Sequence, residues 1–374
     1  MRDKNIKHKY LFAAVYSLVV AAFTAYVMLD TFVLEQVEQA DATAQNTSMF
    51  DGLEVKKLSL DEDESSSADN ESSSENDDSS NTEQGSSRRG ASSKRSRHSS
   101  SSQQAQGSSE TDNDSSDDKN DDSTASEQTG QAQNLGSYSD ENIAVTVNEY
   151  YENDTSIYVA DIRLSSAQYL KTAFANGSFG KNVKAATSDT AEENNAIIAI
   201  NGDYYGAREK GYVIRNGIAY RSTAESDSEI LCIYADGHFD IISPSEASAD
   251  ELVEMGVWQA FTFGPGLVDG GEIAVSEGQE VDQAMASNPR TAIGQIDELH
   301  YVFVVSDGRT NESAGLSLYQ LAQFMKGLGC ESAYNLDGGG SSTMYFDGEV
   351  INNPTTSGNS TKERRVSDIV YLGY

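Results

Sequence analysis

Basic residues are scarce in this chain: 26 Lys and Arg stand against 60 Asp and Glu in 374 residues, a formal charge of −34. Nucleic-acid binders carry clustered positive charge, so a nucleic-acid partner is not expected. Cysteine is rarer still. Two of them, Cys232 and Cys330, argue against a disulfide-stapled scaffold and against a zinc site built on paired thiolates. An exported chain would permit a bond between them, but each lies in an apolar context, and two buried thiols suit the sequence equally well. Histidine occurs four times, at His8, His98, His238 and His300. The first two fall outside the part that can fold, and the others lie within or beside predicted strands. Neither a Ser-His-Asp hydrolase nor a zinc enzyme is therefore expected, and no metal or cofactor is called for.

What is present divides into three unlike parts. Residues 10–29, YLFAAVYSLVVAAFTAYVML, carry no charge and have about the 20-residue length that spans a hydrocarbon core as a helix. Arg2, Lys4, Lys7 and Lys9 precede them; Asp30, Glu35 and Glu38 follow. That bias puts residues 1–9 in the cytoplasm and the rest outside, as a single-pass protein of the cell membrane. A cleaved signal is the rival reading. Ala42-Thr43-Ala44 has the shape of a cleavage site but lies far past the apolar run.

Residues 30–140 read as a disordered acidic Ser-rich linker outside the cell. From about Asp51 onward they show no apolar periodicity and cannot offset the entropy of ordering, so they are expected to form an extended, self-repelling tether. A basic island, RRGASSKRSRH (88–98), reads as charge balance rather than as contact with anionic wall polymer or membrane. Residues 141–374 form the folded domain, long enough for a substantial core.

Within it, β-like runs recur: IAVTV (143–147), IYVADIRL (157–164), AIIAI (196–200), ILCIYA (230–235), FDII (239–242), HYVFVV (300–305), TMYF (343–346) and DIVYL (368–372). They are branched or aromatic and bounded by Gly, Asn or Asp. The clearest helix is SLYQLAQFMKGL (317–328). There Leu318, Leu321, Ala322, Met325 and Leu328 make one apolar stripe, and Gly329 stands ready to end it. SSAQYLKTAFA (165–175) and SPSEASADELVEMG (243–256) read as short helices, the latter capped by Ser243 or Ser245. The fold class is α+β, with a mixed β-sheet core and a few flanking helices.

Four polar loops interrupt this scaffold. INGDYYG (200–206) ends a strand with Asn201 and Asp203 at the sheet rim; Tyr204 and Tyr205 beside an acid suit sugar-ring stacking, and Arg215 follows in GYVIRNG. SNPRTAIGQ (287–295) presents Arg290 and Thr291 next to Pro289, whose ring fixes the backbone. VVSDGRTNESAGLS (304–317) places Asp307 and Arg309 after the strongest strand. NLDGGGSSTMYFDG (335–348) sets Asp337 before Gly338, Gly339 and Gly340, with Ser341 and Ser342 next. Successive amides in such a glycine turn can cradle an anion. No lysine accompanies them as in a P-loop. Aspartates, arginines, serines and backbone amides together suit a substrate with an anionic group and a bond cleaved by carboxylate chemistry, with Asp203, Asp307 and Asp337 the candidate acids.

These stretches, in this order and closed by ERRVSDIVYL (363–372), resemble the phosphodiester glycosidase family over residues 194–374. The resemblance implies hydrolysis of a sugar-1-phosphodiester at the anomeric carbon. Arg290 and the 338–342 loop would hold the phosphate, with Arg215 or Arg309 helping. Arg364 and Arg365 could reach the site or lie on the surface. The expected function is a membrane-anchored extracellular hydrolase acting on sugar-1-phosphodiesters of envelope or exopolysaccharide glycans. The alternative is a surface protein that binds phosphoglycan without cutting it.

Overall fold

The computed structural model describes residues 2–38, 44–58, 132–280, 287–357 and 360–374. Most of the acidic stretch, the 88–98 basic island and most of the Ala42–Ala44 motif lie outside the described residues. The folded part is mostly β-sheet with few helices.

Its largest sheet has eight strands. From one edge to the other they are Glu272–Ile273, Gly266–Asp269, Ser332–Asn335, Arg290–Asp297, His300–Ser306, Thr155–Leu164, Ile143–Glu152 and Gln133–Ser139. A five-stranded sheet runs Glu349–Val350, Met344–Phe346, Ile198–Asn201, Asp368–Leu372, Leu170–Phe174. The main core lies between them, where Val145, Val147, Phe303 and Val305 meet Ile198, Ile200, Val370 and Leu372. The helix Leu318–Gly327 covers the other face of the large sheet through Leu318, Leu321, Ala322 and Met325. Strands such as His300–Ser306 are thus buried on both faces, which is why they read as continuous apolar runs rather than alternating ones. A second five-stranded sheet holds Val213–Arg215, Ile218–Arg221, Ile230–Tyr234, Phe239–Ile242 and Val257–Phe261.

The sheet core with flanking helices agrees with the sequence reading. Its ladders are antiparallel throughout, and parallel pairing among the described residues is confined to the isolated Thr355–Lys362 bridge. Local differences are instructive. The 165–175 stretch holds only a 3₁₀ turn, Ala167–Tyr169, before the strand Leu170–Phe174. Pairing with the C-terminal strand Asp368–Leu372 overrides its Ala, Leu and Lys content. The helix after Pro244 is shorter than expected, Ala249–Glu254, and its cap is Ser248 in a reciprocal capping box with Glu251, not Ser243 or Ser245. Gln133–Ser139, inside the stretch read as linker, is an edge strand paired with Ile143–Glu152. Cys232 and Cys330 are free thiols buried in separate clusters.

The N-terminal helix Arg2–Phe32 includes Ala13–Thr31, long and apolar enough to cross a membrane. The chain beyond it lies on the folded part. Gln36–Val37 pairs with Gly180–Lys181, the Asn46 N–H donates to Asn216 O, the Phe50 ring meets Trp258 edge-on at 4.9 Å, and the Lys56 N–H donates to Ser165 O.

Candidate active site

Strand register brings the four polar loops to one rim. Arg290 pairs with Ser306 and Ala292 with Asn335, so the start of one strand meets the ends of its two neighbours. From the facing sheet, the Asn201 side chain closes the arrangement. Its Nδ2 donates to Asp337 O at 2.6 Å, and its Oδ1 accepts from Thr291 Oγ1 at 2.9 Å and from Thr343 N at 3.3 Å. Asn201 and Thr291 are therefore buried ties between sheets.

The three glycines are explained by close approach. A Cβ on Gly338 would lie 2.9 Å from Pro289 O, one on Gly339 2.8 Å from Arg309 Nη2, and one on Gly340 2.7 Å from Thr356 Cα. Gly339 also has a φ of 63°, which favours glycine. Three of the five amides expected to cradle an anion are engaged within the protein. Gly339 N–H donates to Pro289 O, Ser341 N–H to Gly338 O and Ser342 N–H to Gly339 O. What faces the turn is guanidinium. Arg364 donates through Nε to Ser341 Oγ at 2.8 Å and through Nη2 to Gly338 O at 2.8 Å. Arg309 donates to Asn288 Oδ1 and to the carbonyls of Thr355 and Thr356, all uncharged. Burial and the neighbouring Arg364 charge together lower the Arg309 pKa, so two like charges are held close. Arg290 is buried, bonded to Leu316 O at 2.9 Å and paired with Glu280 at 3.2 Å.

The three expected carboxylates have different surroundings. Asp337 is buried beside Arg364 Nη2 at 3.3 Å and accepts from Ser341 Oγ at 2.6 Å. Burial lifts its pKa above the usual carboxylate range, while Arg364 and Ser341 oppose the rise. Asp307 accepts from Asn353 N at 2.8 Å, from the side-chain amides of Asn352 and Asn353 at 3.1 Å each, and from Tyr158 OH at 3.5 Å. Burial raises its pKa too, against those hydrogen bonds. With so many partners it braces the 352–353 turn. Asp203 accepts from Tyr205 N and Thr262 N and lies 3.0 Å from Arg215 Nη2.

Arg215 differs from the sequence reading. It is fully buried, with Nε and Nη2 each 2.8 Å from Asp368 Oδ2 and Nη1 donating to the carbonyls of Ile214 and Ala260. Its donors serve the fold, so it is not available to a phosphate. Tyr205 is likewise packed against Phe174 and Phe179 rather than presented to a sugar; Tyr204 is exposed.

Sequence reasoning missed several residues. Asp368 is one: its carboxyl is completely buried, its Oδ1 has no hydrogen-bond partner among the described residues, and burial pushes its pKa up to about 7, with Arg215 opposing and Asp203 adding. An acid opening the apolar run DIVYL was the available signal. Arg208, half-buried over the Phe263 ring, is another. Thr343 is a third: its Oγ1, like the Oγ of the expected Ser342, is buried at the turn with no hydrogen-bond partner among the described residues.

The phosphodiester glycosidase family profile matches residues 194–372. A prophage-derived uncharacterized protein, YomE of Bacillus subtilis (strain 168), is 29% identical over 203 residues, covering 52% of this chain and 31% of its own. The Mus musculus N-acetylglucosamine-1-phosphodiester alpha-N-acetylglucosaminidase is 27% identical over 195 residues, covering 46% and 36% respectively. This chain thus spans about a third of the length of these curated relatives. A solved structure of the zebrafish enzyme, a catalytic domain auto-inhibited by pro-peptide, superposes with a TM-score of 0.51 at 20% identity, covering 66% of this chain and 88% of that one. At that identity the superposition speaks for the fold. Residues 194–372 thus match the phosphodiester glycosidase family profile, and the relatives and the fold agree with that likeness.

Proposed function

We propose that this protein hydrolyses sugar-1-phosphodiesters at the anomeric carbon, with the 10–29 helix retained as an anchor and residues 141–374 outside the cell acting on envelope glycan. The observation that carries the reading is the pair Arg309 and Arg364 converging on the glycine turn beside buried Asp337. Two guanidinium groups held together at a turn with unused hydroxyls suit a bound phosphate diester. Water adds to the anomeric carbon and the C1–O bond breaks. The bridging oxygen stays on phosphorus, giving a free sugar and a phosphomonoester. The leaving phosphate is already a stable anion, so protonation by a general acid matters less than charge stabilisation by Arg309, Arg364 and Ser342. Asp337 is the carboxylate nearest those cations and is assigned the reacting role, while Asp203 and Asp307 position the rim.

The binding-only reading draws on the internal engagement of Asp203 and Asp307. Incubating the soluble domain with a panel of sugar-1-phosphodiesters separates the two. Sugar release that Asp337→Asn abolishes supports hydrolysis. Saturable binding without release by the wild type supports the alternative.

A further inference from the structure

The span and the folded domain are joined by very little chain. The apolar stretch ends at Thr31, and Gln36 already pairs with Lys181. Five residues reach at most about 17 Å when fully extended. The connection is also bonded directly. Asn182 Nδ2 donates to Thr31 O at 3.1 Å and to Leu34 O at 3.2 Å, at the C-terminal end of the spanning helix. Asn182 N–H donates in turn to Gly206 O at 3.0 Å, in the loop that carries Asp203 and Arg208. Glu38 N–H donates to Phe179 O at 3.0 Å. The strand Gly180–Lys181 admits this clamp only because position 180 is glycine: a Cβ there would lie 2.2 Å from Gln36 O. A cleft lined by Glu38, Lys181, Tyr205, Arg208 and Arg221 opens beside the clamp. Around it, Val33, Leu34, Val37 and Tyr204 expose 62%, 48%, 58% and 41% of their surface.

We propose that the rim carrying Asp203 and Arg208 lies at the outer face of the membrane, and that the substrate is a lipid-linked sugar phosphodiester whose aglycone is embedded in the same leaflet. The inference rests on the retained anchor and on the glycosidase reading. An anchor followed by a free tether would let the domain roam; here the stretch that follows the span is fixed to the domain. The exposed apolar residues suit a surface of acyl chains, while Lys181 and Arg208 are paired with Glu209 at 2.9 Å and Glu225 at 3.7 Å, so the apolar contact carries the placement. Hydrolysis transfers the water hydroxyl to the anomeric carbon and leaves the lipid as a phosphomonoester in the membrane, with one proton released to the phosphate or to solvent.

The test uses the full chain in phosphatidylcholine–phosphatidylglycerol vesicles. One sugar-1-phosphodiester head is made with a short alkyl aglycone and with a long one that partitions into the bilayer. The wild type is expected to prefer the long-chain ester. Inserting about 20 Gly/Ser residues after Val33, a flexible linker, is expected to reduce that preference at least about fivefold by diluting the site over a larger volume. The short-chain rate should not change. Gly180→Val, which blocks the clamp, should act in the same direction. A preference unchanged in the insertion variant overturns the proposal. Placement is read separately with a fluorophore on Glu209→Cys, since Cys232 and Cys330 are buried. Quenching by headgroup-spin-labelled lipid, lost on insertion, supports the membrane-facing rim, and absence of quenching overturns it. Quenching with release from neither ester overturns the glycosidase reading and the substrate class but upholds the placement.

Discussion

The backbone N–H of Gly339 donates to the carbonyl oxygen of Pro289 across 2.8 Å. This bond ties the triglycine turn to the loop that carries Arg290, 50 positions earlier in the sequence. Gly338 packs on the same carbonyl and Gly339 on the Arg309 guanidinium. The site is therefore a contact between backbones, and its tolerance of substitution follows from that.

Gly340→Ala should destabilise the domain by about 1–3 kcal/mol. Its Cβ would meet the Thr356 Cα at 2.7 Å, and main chain cannot rotate away. A lowered melting temperature, with turnover reduced in the same variant, checks this. An unchanged melt would mean that the 355–357 strand does not pack on the turn.

Ser342→Ala separates stability from chemistry. The hydroxyl is buried without a hydrogen-bond partner among the described residues, so its removal should leave the melting temperature unchanged or slightly raised. If it stabilises the departing phosphate, turnover should fall about 10²-fold. Equal turnover in wild type and variant would remove Ser342 from the site.

Arg364→Ala should move the acidic limb of the pH–rate profile upward. Burial already lifts the Asp337 pKa and the Arg364 charge opposes that lift. Without the cation the carboxyl holds its proton to higher pH, so a reaction that needs its ionised form starts later. Arg364→Lys should return part of the shift. A limb that stays in place in both variants would argue that Asp337 is not the reacting group.

Asp368→Asn should flatten the pH dependence of stability. The folded Asp368 carboxyl titrates near about 7, against an ordinary 3.8. Between those values the folded chain holds a proton that the unfolded chain has released, so stability falls as pH rises through the window and levels off above it. Asp337 and Asp307 share the sign, so a reduced slope remains in the variant. Denaturant unfolding at several pH values measures it.

The strands were legible where both faces are covered, because His300–Ser306 and Ile230–Tyr234 are branched or aromatic at nearly every position. Leu170–Phe174 was not, since its strand state comes from a partner almost 200 residues away. Gln133–Ser139 hides among serines because an edge strand exposed on most of its length needs little apolar content. Likewise, the loops carrying candidate residues could be picked out by their punctuation, but not which side chains face inward. Arg215 and Arg309 look alike in sequence. One is sealed between two aspartates, the other partly open at the turn. Burial depends on strand pairing across the whole domain, which no local window contains.

The docked segment before residue 58 has one more consequence. A protease cutting anywhere between 58 and 132 would sever the polypeptide yet not set the larger fragment adrift. The short piece would still be held by its two-residue ladder to Gly180–Lys181, by Phe50 against Trp258 and by the Lys56–Glu298 ion pair. With the 10–29 helix inserted in vesicles, as proposed above, nicked molecules would run as two bands on a denaturing gel and sediment as one.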